Sequence, residues 1–180
     1  MIATDIYQPA QWNNFFVLVG TGSAALTGLV FVALTINLNY VTRDATHRYR
    51  AINMLTGFTA AFLISALALM GAQSNRAVGI EWLAVASIAA AINTNGYVQG
   101  FRLTGSRYAL NRARILGGSA CYLGQIVGSL VLFFGSVAGL YVAAIALLVN
   151  FYFLVSGSWL LVVGPPQDST TPSNRDEHGK

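Results

Sequence analysis

Ile115 to Gln167 is 53 residues of chain without one Asp, Glu, Lys, Arg or His. A soluble domain of 19.2 kDa cannot cover that much continuous uncharged chain. At a rise of about 1.5 Å per residue, a helix needs about 20 apolar residues to cross the hydrocarbon core of a bilayer. The stretch therefore reads as two spanning helices joined by a tight turn at Gly135-Ser136-Val137-Ala138-Gly139. Three more charge-free windows precede it: Ile6 to Thr42, Ala51 to Asn75 and Trp82 to Phe101.

The expected fold is an all-α integral membrane bundle of five transmembrane helices, near residues 13–38, 50–72, 79–98, 115–134 and 139–163. Composition agrees, with 55% hydrophobic and only 9% charged residues. Amphipathic rings favour headgroup depth, and Trp12 with Tyr40, Trp82 with Tyr97 and Tyr141 with Trp159 bracket the first, third and fifth spans. The bundle occupies residues 1–163; the polar, Pro-bearing tail 164–180 has no large apolar residue to bury and is expected to be disordered. The N-terminus lacks the basic segment of a cleaved signal peptide, so the first span is read as retained.

Orientation follows from the basic residues. Arg43, Arg48 and Arg50 lie in or beside the first connection, Arg102, Arg107, Arg112 and Arg114 in or beside the third, and Arg175 and Lys180 in the tail. Only Arg76 lies on the other side. The positive-inside rule places the N-terminus outside and the tail in the cytoplasm of a plasma (inner) membrane. Arg102, Arg107, Arg112 and Arg114 are candidate contacts for anionic lipid headgroups or for an acidic partner.

Helices in lipid associate through close backbone approach and interhelical hydrogen bonds. Small residues at four-residue spacing mark such faces: Gly20, Ala24 and Gly28 in the first span, Gly57 and Ala61 in the second, Gly124 and Gly128 in the fourth. They are expected to hold the bundle together or to meet another chain. Thr27, Gln125 and Asn150 lie near mid-depth and are the candidate polar lining of a pathway; Gln125 and Asn150, on antiparallel neighbours, lie at one depth where their amides can pair. A short echo, Ala51-Ile52-Asn53…Gly57-Phe58 against Ala91-Ile92-Asn93…Gly96-Tyr97, is too brief to count as a repeat.

No ionisable residue falls at the middle of a span, which argues against proton relays and many ion-coupled transporters. Val19-Gly20-Thr21-Gly22-Ser23-Ala24-Ala25 has the glycine spacing of a dinucleotide fingerprint but lacks the strand and parallel sheet that give it meaning. His47 and His178 have no partners at metal-ligand spacing. Cys121, the sole cysteine, has no neighbouring base or cation in the sequence to activate it. No enzyme chemistry, cofactor, metal site or nucleic-acid partner is expected.

From Trp12 and Phe15-Phe16 through Gly20-Thr21-Gly22-Ser23-Ala24-Ala25-Leu26-Thr27-Gly28-Leu29-Val30-Phe31-Val32, the chain resembles a group of small bacterial membrane proteins often labelled modulators of FtsH protease. The resemblance covers the first span well and the rest by layout. The Gly20/Ala24/Gly28 face, the basic loops and the lack of catalytic groups and buried charge point to a non-enzymatic regulator or assembly partner of a larger membrane complex, and the resemblance implies a membrane-anchored AAA protease as that complex. The better-known modulators have a seven-helix fold, whereas five spans are expected here, and no functional residue carries over. The alternative function read from the residues is a homo-oligomeric pore or transporter for a small neutral or lipid-like substrate.

Overall fold

The computed structural model describes residues 9–36, 38, 45–71, 73–104 and 112–163. Five helices account for nearly all of them: α1 (Pro9–Ile36), α2 (Ala45–Leu69), α3 (Asn75–Thr104), α4 (Arg112–Phe133) and α5 (Ala138–Val163). Among the described residues there is no strand. The helices run from 22 to 30 residues, about 33–45 Å, and each is long and apolar enough to cross a membrane. The expected all-α membrane bundle is the observed architecture. Arg107 and the tail 164–180 lie outside the described residues.

Several helices extend beyond their apolar runs. Helix α2 begins at Ala45 rather than near residue 50, and α3 continues to Thr104 rather than stopping near 98. Backbone hydrogen bonding continues where hydropathy has already turned polar, because Arg48, Arg50 and Arg102 are good helix formers. Two ends carry local signals. Ser74 caps α3 by accepting a hydrogen bond from the Ala77 N–H at 3.2 Å. Helix α4 closes in a Schellman motif: Gly135 N–H donates to Leu132 O and Ser136 N–H to Val131 O. Gly135 takes φ +93° there, a conformation glycine adopts without a Cβ clash.

Successive helices pack side by side, and α2 also meets α5. Helices α2 to α5 thus close into a four-membered ring, while α1 lies outside it against α2 and α5. Small residues set the spacing. A Cβ on Gly128 would lie 2.7 Å from the backbone nitrogen of Ala143, and one on Gly124 would lie 2.9 Å from the Ala146 Cβ. Gly117 faces the Phe153 ring and Gly57 faces Leu154. At the α3 N-terminal end, a Cβ on Gly79 would meet the backbone of Phe133.

That end is apolar and closed. Ala68, Val78, Leu132 and Leu140 are fully buried, and the Phe16 ring of α1 packs edge-on against Trp82 at 5.5 Å. Trp12 in turn meets Tyr141 at 4.9 Å. The opposite end, which bears the α1–α2 and α3–α4 links, is polar inside.

Candidate functional site

Within the bundle, hydroxyl and carboxamide side chains behave differently. Ser and Thr hydroxyls can bond the carbonyl one turn back on their own helix. Ser65 donates to Ala61 O, Thr27 to Ser23 O, Ser129 to Gln125 O and Ser158 to Leu154 O, at 2.7–2.9 Å. These groups need nothing from a neighbour. A carboxamide cannot be satisfied so cheaply, because it presents an acceptor and two donors.

Three helices of the ring send a carboxamide into one cavity, and the fourth adds a phenol. Asn53 comes from α2, Asn93 and Tyr97 from α3, Tyr122 from α4 and Asn150 from α5. The cavity volume is about 60 Å³, several times the 10–15 Å³ or so that one water needs. Met54, Ile115, Phe153 and Leu154 supply apolar wall, and Arg50, half-exposed, stands at the mouth. Asn93, Tyr122 and Asn150 are 5%, 2% and 3% exposed, so the polar floor is covered by the bundle itself.

The floor is not self-satisfied. Asn53 Oδ1, Asn93 Oδ1 and the Tyr122 hydroxyl oxygen are buried without a hydrogen-bond partner. Asn150 and Asn93 both approach the Tyr122 hydroxyl closely enough to favour a side-chain hydrogen bond, although neither reaches full hydrogen-bond geometry. An unpaired buried polar group costs about 1–3 kcal/mol. Three in one cavity therefore favour an occupant that offers hydrogen bonds, whether water or a ligand.

Gly96 and Gly118 make the room. A Cβ on Gly96 would fall 2.5 Å from Asn53 Oδ1, and one on Gly118 would fall 2.9 Å from the Tyr97 hydroxyl. Glycine at these two positions lets Asn53 of α2 seat against α3, and Tyr97 of α3 against α4, without forcing the helices apart.

Gln125 and Asn150 do not meet. The seating of Gly128 on Ala143 and of Gly117 on Phe153 fixes the α4–α5 register. It leaves Gln125 about one turn further toward the closed end, in a separate cavity of about 10 Å³ with Trp82, Ser129 and Leu147. Both amide atoms of Gln125 and the Trp82 Nε1 are unpartnered there. Thr27 lines neither cavity. It sits on α1, outside the ring, with its hydroxyl committed to Ser23 O.

The small-residue stripes divide in the same way. Gly57, Ala61 and Gly128 are buried at helix contacts, and Gly124 is half-buried. In α1, Gly20 packs on Ser65, but Ala24 and Gly28 face outward, and nothing lies within 4 Å of a Cβ on Gly28. Arg102 is exposed in the last turn of α3, and Arg112 and Arg114 open α4.

Sequence reasoning did not select Asn53, Asn93, Tyr97 or Tyr122 as lining. A signal was present: the Ala-Ile-Asn echo places Asn53 and Asn93 in matching local contexts, and these two asparagines share the cavity. Among the described residues no group of three or more His, Cys, Asp or Glu is placed to hold a metal ion. No family model, curated protein or solved structure matches the chain.

Proposed function

We propose that this chain is a non-enzymatic membrane protein that binds the polar end of a small or lipid-like molecule within its helical ring, as a carrier or pore subunit does. The observation that carries the reading is the convergence of Asn53 Oδ1, Asn93 Oδ1 and the Tyr122 hydroxyl, all buried and unpaired, on one cavity. A bundle selected only for stability has little reason to keep them. Buried polar networks that are only partly satisfied are worse for stability than apolar packing. In this reading the protein lies in a plasma membrane, with the basic links and the mouth at Arg50 on the cytoplasmic side.

The test is a ligand screen on purified, delipidated protein. A ligand at about one hundred times its Kd stabilises the folded state by about 2.7 kcal/mol, a readily measured thermal shift. The expected result is at least one ligand class whose shift disappears in both Asn93→Leu and Asn150→Leu. If every shift survives both substitutions, the cavity is not a binding site.

A second reading is supported by the outward Ala24–Gly28 face of α1, which the bundle leaves uncovered. There the chain would regulate or help assemble a larger membrane complex, and the resemblance of the first span makes a membrane-anchored protease the partner to seek first. Crosslinking in native membranes tests it: Gly28→Leu should remove a near-stoichiometric partner while leaving the bundle folded.

A further inference from the structure

The residues at the two ends of the cavity define what it would hold, an inference that rests on the binding reading above. Arg50 lines the mouth. Glu81 is the sole carboxylate among the described residues. It sits near the start of α3, at the opposite end of the bundle, where it accepts a hydrogen bond from Gln73 Nε2 at 3.0 Å. The Arg50 guanidinium therefore has no carboxylate within the described bundle to neutralise it. It presents a fork of donors suited to an anionic oxygen pair.

One turn deeper the requirement changes sign. Asn53 Oδ1 and Asn93 Oδ1 are acceptors without donors. Their complement is a group that donates, and at this volume a pair of hydroxyls fits. Tyr122, whose hydroxyl both donates and accepts, completes the floor against a second hydroxyl oxygen. A quaternary ammonium headgroup has no hydrogen to donate to the two carbonyls and is disfavoured. A bare phosphate would satisfy Arg50 and leave the asparagine carbonyls unpaired.

We infer that the cavity recognises an anionic polyol phosphate, with the phosphate at Arg50 and the hydroxyls on Asn53, Asn93 and Tyr122. In a membrane the abundant carrier of that chemistry is a lipid with a glycerol-phosphate headgroup, and a soluble polyol phosphate carries it too.

The experiment is native mass spectrometry of the delipidated protein with phosphatidylglycerol, phosphatidic acid, phosphatidylcholine and uncharged diacylglycerol, with free glycerol 3-phosphate as competitor. A charge-assisted hydrogen bond lost to a buried group corresponds to roughly a tenfold or greater change in Kd. Phosphatidylglycerol is expected to bind at least about tenfold more tightly than any of the other three lipids. Arg50→Gln should bring it down to diacylglycerol, and Asn93→Leu to phosphatidic acid. Competition by glycerol 3-phosphate at matching concentration would support the headgroup chemistry and assign it to a soluble ligand; none would assign it to the lipid. Phosphatidic acid or diacylglycerol binding as tightly as phosphatidylglycerol overturns the inference, while loss of that binding in Asn93→Leu and Asn150→Leu keeps the cavity as a site. Binding unaffected by all three substitutions overturns both. Thermal unfolding of each variant separates lost binding from lost folding.

Discussion

Asn53 of α2 occupies the space that a side chain on Gly96 of α3 would need: a Cβ there would stand 2.5 Å from Asn53 Oδ1 and 2.9 Å from Nδ2. The two helices are thereby fitted around an amide rather than around apolar knobs. Gly96→Ala should push the Asn53 carboxamide off its position and destabilise the bundle by about 1–3 kcal/mol, the usual cost of overpacking. Gly28→Ala, with nothing within 4 Å, should be near neutral. Thermal unfolding in detergent compares them, and equal midpoints would show that the Asn53–Gly96 fit does not constrain the helices.

Gly128 and Gly157 separate two kinds of close approach. A Cβ on Gly128 meets the backbone of Ala143 and the Gly139 carbonyl, which cannot retreat without moving α5. One on Gly157 meets the end of Met54, a flexible chain that can swing aside. Gly128→Ala should therefore cost more stability than Gly157→Ala, by about 1 kcal/mol or more. The reverse order would mean that the α4–α5 contact is softer than its geometry indicates.

Gln125→Leu should leave stability unchanged or raise it. Both amide atoms are buried and unpaired, and substituting an apolar group of similar volume removes a desolvation cost of about 1–3 kcal/mol. A substantial fall in unfolding temperature would reveal that the amide has a partner in the membrane, such as a water shared with Trp82 and Ser129. Tryptophan emission from a Trp12→Phe, Trp159→Phe background reports on that cavity directly, since Trp82 then emits alone.

Cys121 is buried at 4% exposure and should resist an impermeant maleimide until the protein is denatured. That makes the chain its own blank for topology mapping. Ser74→Cys should label from outside intact cells and Arg102→Cys only after the inner face is opened. Labelling of Arg102→Cys alone from outside would invert the bundle.

How far the sequence could be read follows from what each feature depends on. Five spans are legible because bilayer thickness sets a length that charge-free runs either meet or miss. Helix ends are less legible at α2 and α3, because a helix does not stop where hydropathy does. The cavity was harder. Gln125 and Asn150 are the deep amides of adjacent helices, and depth alone suggests a pair. Register decides otherwise, and register is set by which small residues seat on which neighbours, Gly128 on Ala143 and Gly117 on Phe153. Nothing in a uniformly apolar helix announces that choice. Tyr97 and Tyr122 are hidden for a different reason: tyrosine in a membrane chain reads as an interfacial ring, whereas Tyr122 packs inward against Ala60 of α2 and Ala89 of α3.

The closed end has an electrical consequence. A membrane potential falls mainly across the least polarisable part of its path, which here is the layer of Ala68, Val78, Leu132 and Leu140 beyond the cavity floor. The cavity and Arg50 would share the potential of the compartment they open to. A charge entering as far as Arg50 then crosses little of the field, whose full value is about 2.3 kcal/mol per charge per 100 mV. Occupancy of the site should accordingly be blind to voltage, and any step that became voltage-dependent would mark the moment when the apolar layer parts.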